Sequence, residues 1–331
     1  MRFDRSPTIR LAIVLLAGLL SAVFMVPAGA LEVASLRVNT FPNAKALPLH
    51  AGIAHGIFAA RGLAVQLALT PGSEAQRKGL ASGTFDVAHA AVDNAVAMVD
   101  RAGVDVVIVT GGDDGMNQFF VQPYIGSFAD LRGRILAVDA PNTAYALLAK
   151  KILAKHGLKE GDYVVKPVGA GPFRLKAMAE HRDYAASMLN LPFTVQAEEM
   201  GLKSLGNPVE ILGPYQAAGA FVRREWAKAN PALLERYIAA YVESLRFSLV
   251  HRAESVAILE KELKLSRTVA ERTFRQLADP RTGFTPDAKF DLAGFRNLLA
   301  LRAEMEGGSP AAPERYYDLS YYERAIARLA K

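Results

Sequence analysis

The chain has 331 residues, 51% of them apolar, with 39 Lys and Arg against 33 Asp and Glu, a net charge of +6 and no cysteine. That length and apolar content allow a large core and favour two lobes over one. The lack of cysteine removes disulfides, thiolate metal sites, a Cys nucleophile and a Cys-linked lipid anchor, and the mild, scattered positive charge gives no reason to expect nucleic acid as a partner.

Arg2, Arg5 and Arg10 precede an uncharged run from Leu11 to Val26, which is followed by Pro27-Ala28-Gly29-Ala30. This order is that of a secretory signal, so residues 1–30 are expected to be cut away after Ala30, leaving a periplasmic chain from Leu31. The alternative is an uncleaved anchor, for which the run falls short of the roughly 18 apolar residues of a spanning helix. Residues 35–41 then read as a strand, 45–60 as a helix stopping near Gly62, and 63–70 as the next strand. After the Pro71-Gly72 turn, Ser73 with Gln76 three residues on predicts a reciprocal helix cap, and that helix ends at Gly83. Strand 85–90, helix 92–102 and strand 104–110 continue the rhythm.

Gly111-Gly112-Asp113-Asp114-Gly115 interrupts it and marks a first crossing, after which the chain resumes at 118–122. A second series has strands at 135–139, 163–168, 185–190 and 209–212, with helices at 143–156, 173–180 and 193–200. Beyond Gly213-Pro214-Tyr215, a strand at 218–222 leads into a helical tail over 225–331 that is expected to wrap around the first lobe. Strands alternating with helices predict an α/β protein in which each lobe is a mainly parallel sheet flanked by helices.

In open parallel sheets, ligands settle beyond the carboxyl ends of the strands, where helix starts leave N–H groups unpaired. Six such junctions carry polar or turn-forming residues: Thr40–Asn43, Gly72-Ser73, Asp93-Asn94, Pro141–Thr143, Gly169–Pro172 and Asn190–Pro192. Each residue also suits a plain helix start, so the set is more informative than its members. Enzyme signatures fail. Gly169-x-Gly171 lacks the third glycine of a dinucleotide fingerprint, and no GxxxxGK[ST], GxSxG or HExxH occurs. His50 and His55 lie five apart and do not share a helix face, and the six histidines read as surface or buried neutral residues. The adjacent pairs Asp113-Asp114 and Glu198-Glu199 read as solvated turns and faces.

The stretches Phe41-Pro42-Asn43-Ala44-Lys45, Gly52 to Leu63, Leu80 to Ala88, Ser127 to Gly133 and Ala186 to Phe193 resemble ABC-transporter solute-binding proteins of the nitrate, sulfonate, taurine and thiamine-pyrimidine-precursor group. The resemblance spans residues 35 to about 225. It implies the type II periplasmic-binding-protein architecture: domain I over 31–116 plus 217–331, domain II over 117–216, and closure by hinge bending over a small solute. The family's ligand positions fall on Phe41, Asn43, Ser73, Asp93 and Asn94 in domain I, on Asn142, Thr143, Gly169, Gly171 and Asn190 in domain II, and on Tyr215 at the return crossing. Phe41 and Tyr215 would stack or form a lid, Ser73 and Thr143 would donate, and the four asparagines would offer amides. Asp93 would accept from a ligand N–H, pair with a cation, or merely cap its helix.

With Arg174 as the only nearby base, such a cleft suits a planar polar or heterocyclic solute better than a bare anion. A small organic nitrogen or sulfur compound is expected. The resemblance further implies a monomer without cofactor or metal that delivers its solute to an ABC permease in the inner membrane and is not an enzyme. The alternatives are a ligand sensor for a membrane receptor, or an enzyme similar to the yeast pyrimidine-precursor synthase, against which the lack of cysteine and the export signal argue.

Overall fold

The computed structural model describes residues 33–115 and 117–329, and the signal segment expected at residues 1–30 lies outside the described residues. In chain order the first elements are β1 (Ala34–Thr40), α1 (Leu47–Ala54), α2 (Ile57–Ala60), β2 (Leu63–Leu69), α3 (Ser73–Ala81), β3 (Val87–Ala91), α4 (Asp93–Ala102) and β4 (Val106–Ile108). A second run comprises β5 (Asn117–Val121), β6 (Ile135–Val138), α5 (Ala144–Lys155), β7 (Val164–Pro167), α6 (Gly171–Glu180), β8 (Tyr184–Asn190), α7 (Phe193–Glu199), β9 (Lys203–Ser204) and α8 (Pro208–Leu212). β10 (Ala218–Arg223) precedes the tail helices α9 (Arg224–Ala229), α10 (Pro231–Val250), α11 (Arg252–Leu263), α12 (Arg267–Leu277), α13 (Leu292–Glu306) and α14 (Ser320–Leu329).

The strands form two five-stranded sheets, ordered β2-β1-β3-β10-β4 and β7-β6-β8-β5-β9. In the first, β1 runs parallel to β2 and β3, and β10 is antiparallel to both its neighbours. In the second, β6 is parallel to β7 and β8, and β5 is antiparallel to β8 and β9. The one antiparallel strand in each sheet is the strand by which the chain enters it from the other. Sheet membership changes between β4 and β5 and again between β9 and β10.

The tail packs by helical periodicity. Along α10, Leu234, Tyr237, Ile238, Tyr241 and Leu245 recur on one face and are all buried under the first sheet, each contributing about 1.5–3 kcal/mol by leaving water. The tail also reaches helices of the second sheet: Arg272 of α12 pairs with Glu198 at 2.6 Å and Glu199 at 3.3 Å in α7, and Glu304 of α13 pairs with Lys151 of α5.

Three local expectations need correction. Residues 209–212 are not a strand but belong to α8, because Asn207 caps the backbone N–H of Val209 at 2.8 Å and Pro208 occupies the first helical position, a helix start that outweighs a short apolar run. Helix 45–60 is broken into a 3₁₀ turn, α1 and α2, with Gly56 at φ 68° between the last two. The reciprocal cap at Ser73 does not form. Gly72 is the capping residue and uses no side chain, while Gln76 turns inward to bond the Asn39 side chain at 2.9 Å.

Candidate functional site

The carboxyl ends of β1, β3, β6 and β8 and the starts of their following helices face one another across a cavity of about 770 Å³, a volume that includes its opening to solvent. The first sheet contributes Phe41, Asn43, Ser73 and Asn94; the second contributes Thr143, Gly171 and Asn190. Asn43 has its Oδ1 on the backbone N–H of Lys45 at 3.0 Å, which holds the loop after β1 as a short 3₁₀ turn. Thr143 precedes α5 and donates its hydroxyl to the Ala140 carbonyl at 2.9 Å. Gly171 begins α6, where a Cβ would stand 2.5 Å from the Phe193 ring, so any larger residue would force that ring to shift.

Four of the expected positions lie outside the cavity wall. Asp93 is fully buried at the start of α4 and binds Arg302 of α13 at 2.5 Å. Burial pushes its carboxyl above the ordinary range and Arg302 opposes that push. Tyr215 is buried in the packing between α5 and α13, and burial together with Asp93 holds its phenol well above the usual value. Asn142 borders a different groove, beside Glu74 and Arg77. Gly169, at φ 96°, shapes the turn into α6 close to the Pro71 carbonyl.

Several wall residues have no counterpart in the sequence-based expectations. Lys45 binds Asp113 at 2.7 Å and reaches the Tyr145 hydroxyl at 3.4 Å. Burial works against its ammonium, but Asp113 and Tyr145 outweigh burial and raise its pKa above the ordinary lysine value. Asp113 is thus a buried, ion-paired residue and not part of a solvated turn. Asp139, just past β6, accepts from the Ser73 backbone N–H at 3.1 Å and from the Ser73 hydroxyl. Tyr241 and Phe284 arrive from the tail. Asp139 could have been found by the strand-end argument already applied to its neighbours, and Lys45 lies within the Phe41–Lys45 stretch that carries the resemblance. Tyr241 and Phe284 carry no local signal, because only the folding of the tail brings them to the cavity.

The segments that follow the strands of the two sheets touch one another around this space. Besides Ser73 to Asp139 and Lys45 to Tyr145, the N–H of Ala44 donates to the Leu191 carbonyl at 3.0 Å, and that of Ala170 donates to the Pro71 carbonyl at 3.0 Å. Arg174 is buried in the wall, with Nη1 on the Met188 carbonyl at 2.8 Å. Burial lowers its pKa, with Asp139 and Tyr145 opposing.

His89 of β3 is buried in the wall, with Nε2 2.7 Å from the Tyr237 hydroxyl and its ring against Tyr241. Burial pushes its pKa down to about 3, so the imidazole is neutral at pH 7. The unfolded chain, with histidine near about 6.5, takes up a proton that the folded one refuses. This group therefore contributes stability above about pH 6.5 that is lost as the pH falls, by up to ~1.4 kcal/mol per pH unit. Asp114, raised by burial and by Asp113 and Asp291 from 3.8 to about 6, acts with the opposite sign over that interval. The effect of His89 is isolated by urea unfolding at pH 7 and pH 5 of the wild type and His89→Gln. The wild type is expected to lose more stability than the variant, and equal losses would refute a neutral buried His89.

Comparison with known proteins gives a consistent set of likenesses. Residues 43–255 match the protein-family model described as NMT1/THI5 like. A curated chain of Brucella abortus (strain 2308), whose name proposes a binding protein, is 21% identical over 274 residues, covering 81% of this chain and 84% of its own length. Among solved structures, one from Bordetella bronchiseptica RB50 superposes with a TM-score of 0.77 at 22% identity, covering 91% of this chain and all (100%) of its own. The alkanesulfonate-binding protein SsuA from Xanthomonas axonopodis pv. citri, bound to MOPS, has a TM-score of 0.70 at 18% identity over 89% of this chain and 99% of its own. The periplasmic nitrate-binding protein NrtA from Synechocystis PCC 6803 has a TM-score of 0.75 at 14% identity, covering 90% of this chain and 89% of its own.

Proposed function

The chain belongs to the NMT1/THI5-like family, and from that premise we propose that it is the solute-binding component of an ABC import system. Its two-sheet architecture is the periplasmic-binding-protein fold of the neighbours above. In this reading it works in the periplasm as a monomer, captures a small organic nitrogen or sulfur compound between its sheets, and hands it to an inner-membrane permease. Residues 31–116 plus 217–331 and residues 117–216 move as the two lobes, meeting where the chain changes sheet.

The observation that carries this reading is the cavity itself: both sheets wall it at their strand ends, with amides, hydroxyls and aromatic rings, the composition of a small-molecule site. Phe41, Asn43, Ser73, Asn94, Thr143, Gly171 and Asn190 are proposed as the contacts among the expected positions. Asp93, Asn142, Gly169 and Tyr215 are proposed to support the wall from behind. A binding role is favoured over catalysis because the lysine and the histidine of the wall are committed to partners. Lys45 is held as an ammonium by Asp113, which makes it a poor nucleophile, and His89 is neutral and bonded to Tyr237.

A thermal-shift screen of residues 31–331 against taurine, alkanesulfonates, nitrate, pyrimidines, amino acids and carboxylates tests this. A solute at about a hundred times its Kd adds about 2.7 kcal/mol of stability, a shift of several degrees. No shift in any class, with no small molecule released when the purified protein is denatured, would refute the proposal.

A further inference from the structure

Two charged side chains of the cavity wall do not neutralise each other by direct contact, and they are placed unequally. Asp139, from the second sheet, is seated on the start of α3: the Ser73 N–H and hydroxyl both donate to it, and a Cβ at Gly72 would come within 2.9 Å of its Oδ1. The N-terminus of α3, a natural resting place for an anion, is thereby already filled by the protein's own carboxylate. A second negative charge there would be repelled.

The start of α6 is different. Among the described residues no side chain caps it, and two buried polar groups of the cavity wall stand beside it. Arg174, 4% exposed, uses Nη1 for the Met188 carbonyl and has no partner for Nε among the described residues. Asn190, 5% exposed, has no partner for Oδ1 among them, and that atom lies 3.5 Å from where a Cβ on Gly171 would stand. A buried guanidinium with an idle N–H and a buried acceptor with no donor are both costly unless something entering the cavity completes them.

Resting on the reading of this cavity as a solute site, we infer that the solute is a small organic acid that also carries an N–H or O–H donor. Its oxyacid group sits against Arg174 at the start of α6, and its donor meets Asn190 Oδ1. A bare inorganic anion completes Arg174 but offers nothing to Asn190, and it finds the other helix start occupied by Asp139. A neutral heterocycle completes Asn190 and leaves the guanidinium idle. The charge pattern therefore selects between solute classes by what each leaves unpaired.

Isothermal titration of the wild-type protein with matched pairs tests this directly: orotate against uracil, lactate against lactamide, and taurine against nitrate and sulfate. Carboxylate and sulfonate arms decide which oxyacid is preferred. The acid is expected to bind at least about tenfold more tightly than its neutral partner, the factor that corresponds to one charge-assisted hydrogen bond. In Arg174→Gln that preference should collapse, while Arg174→Lys keeps part of it, with circular dichroism reporting whether each variant folds. Neutral partners or inorganic anions that bind the wild type as well as the organic acids overturn the inference and leave the binding-protein reading standing. So does an acid preference unchanged in a folded Arg174→Gln. Failure of every organic acid to bind, with no organic acid released when the purified protein is denatured, overturns the inference, and the binding-protein reading falls only if no small molecule of any class is released.

Discussion

Arg302→Met is expected to lower the stability of the protein by about 3–5 kcal/mol, because it strands a carboxylate in the interior. Asp93 is fully buried and has Arg302 Nη1 at 2.5 Å, and Arg302 in turn holds Glu306 at 2.7 Å. The two partners lie 209 residues apart, so the pair fastens the last long helices to the start of α4. Removing both charges in Asp93→Asn/Arg302→Met should recover much of the loss, since an apolar or neutral replacement of a whole buried pair costs little. The same double variant separates structure from recognition at a position that the family resemblance assigns to the ligand. If Asp93 serves only the packing, the double variant binds solute as the wild type does. A folded double variant with lost affinity would return Asp93 to the site. Chemical denaturation followed by calorimetric titration gives both readings from one preparation.

Gly219→Ala is the second large effect. Gly219 lies in β10, on the cavity wall, where an added Cβ would stand 2.3 Å from the Thr110 carbonyl oxygen and 2.8 Å from Val92 Cγ1. The obstacle is backbone, which cannot rotate away, so β10 has to shift against the segment after β4. Overpacking of this kind costs up to about 3 kcal/mol. Because the shift also moves the wall, solute affinity should fall along with stability. Gly308→Ala is the control: nothing among the described residues stands within 4 Å of its added Cβ, and its stability should stay within about 0.5 kcal/mol of the wild type. A Gly219→Ala protein as stable as that control would contradict the close approach of β10 to Thr110.

The alternation of strands and helices, and with it the two-sheet architecture, is written in local periodicity and is legible from the order of residues alone. Residues 209–212 show where that legibility ends. Val-Glu-Ile-Leu fits a short strand or one helical turn equally well, and the deciding signals, Asn207 and Pro208, lie just upstream. Ser73 and Gln76 show a second limit, since a good local cap was displaced by Asp139 and Asn39, partners 66 and 37 residues away. The site divides in the same way. Phe41, Asn43, Ser73, Asn94, Thr143, Gly171 and Asn190 stand on the cavity wall because strand ends and helix starts place them there. Asp93 and Tyr215 have the same kind of address, yet the packing of α13 claims them. Tyr241, Phe284 and the pairing of Lys45 with Asp113 depend on contacts between distant segments, which no local pattern encodes.

A crystal structure of residues 31–331 grown with the compound that gives the largest thermal shift decides whether the cavity between the sheets holds the solute. Density is expected for one solute between the two sheets, in contact with residues of both, with Asn190 from the second and Asn43 or Ser73 from the first. Solute bound elsewhere on the surface, or touching one sheet alone, would contradict it.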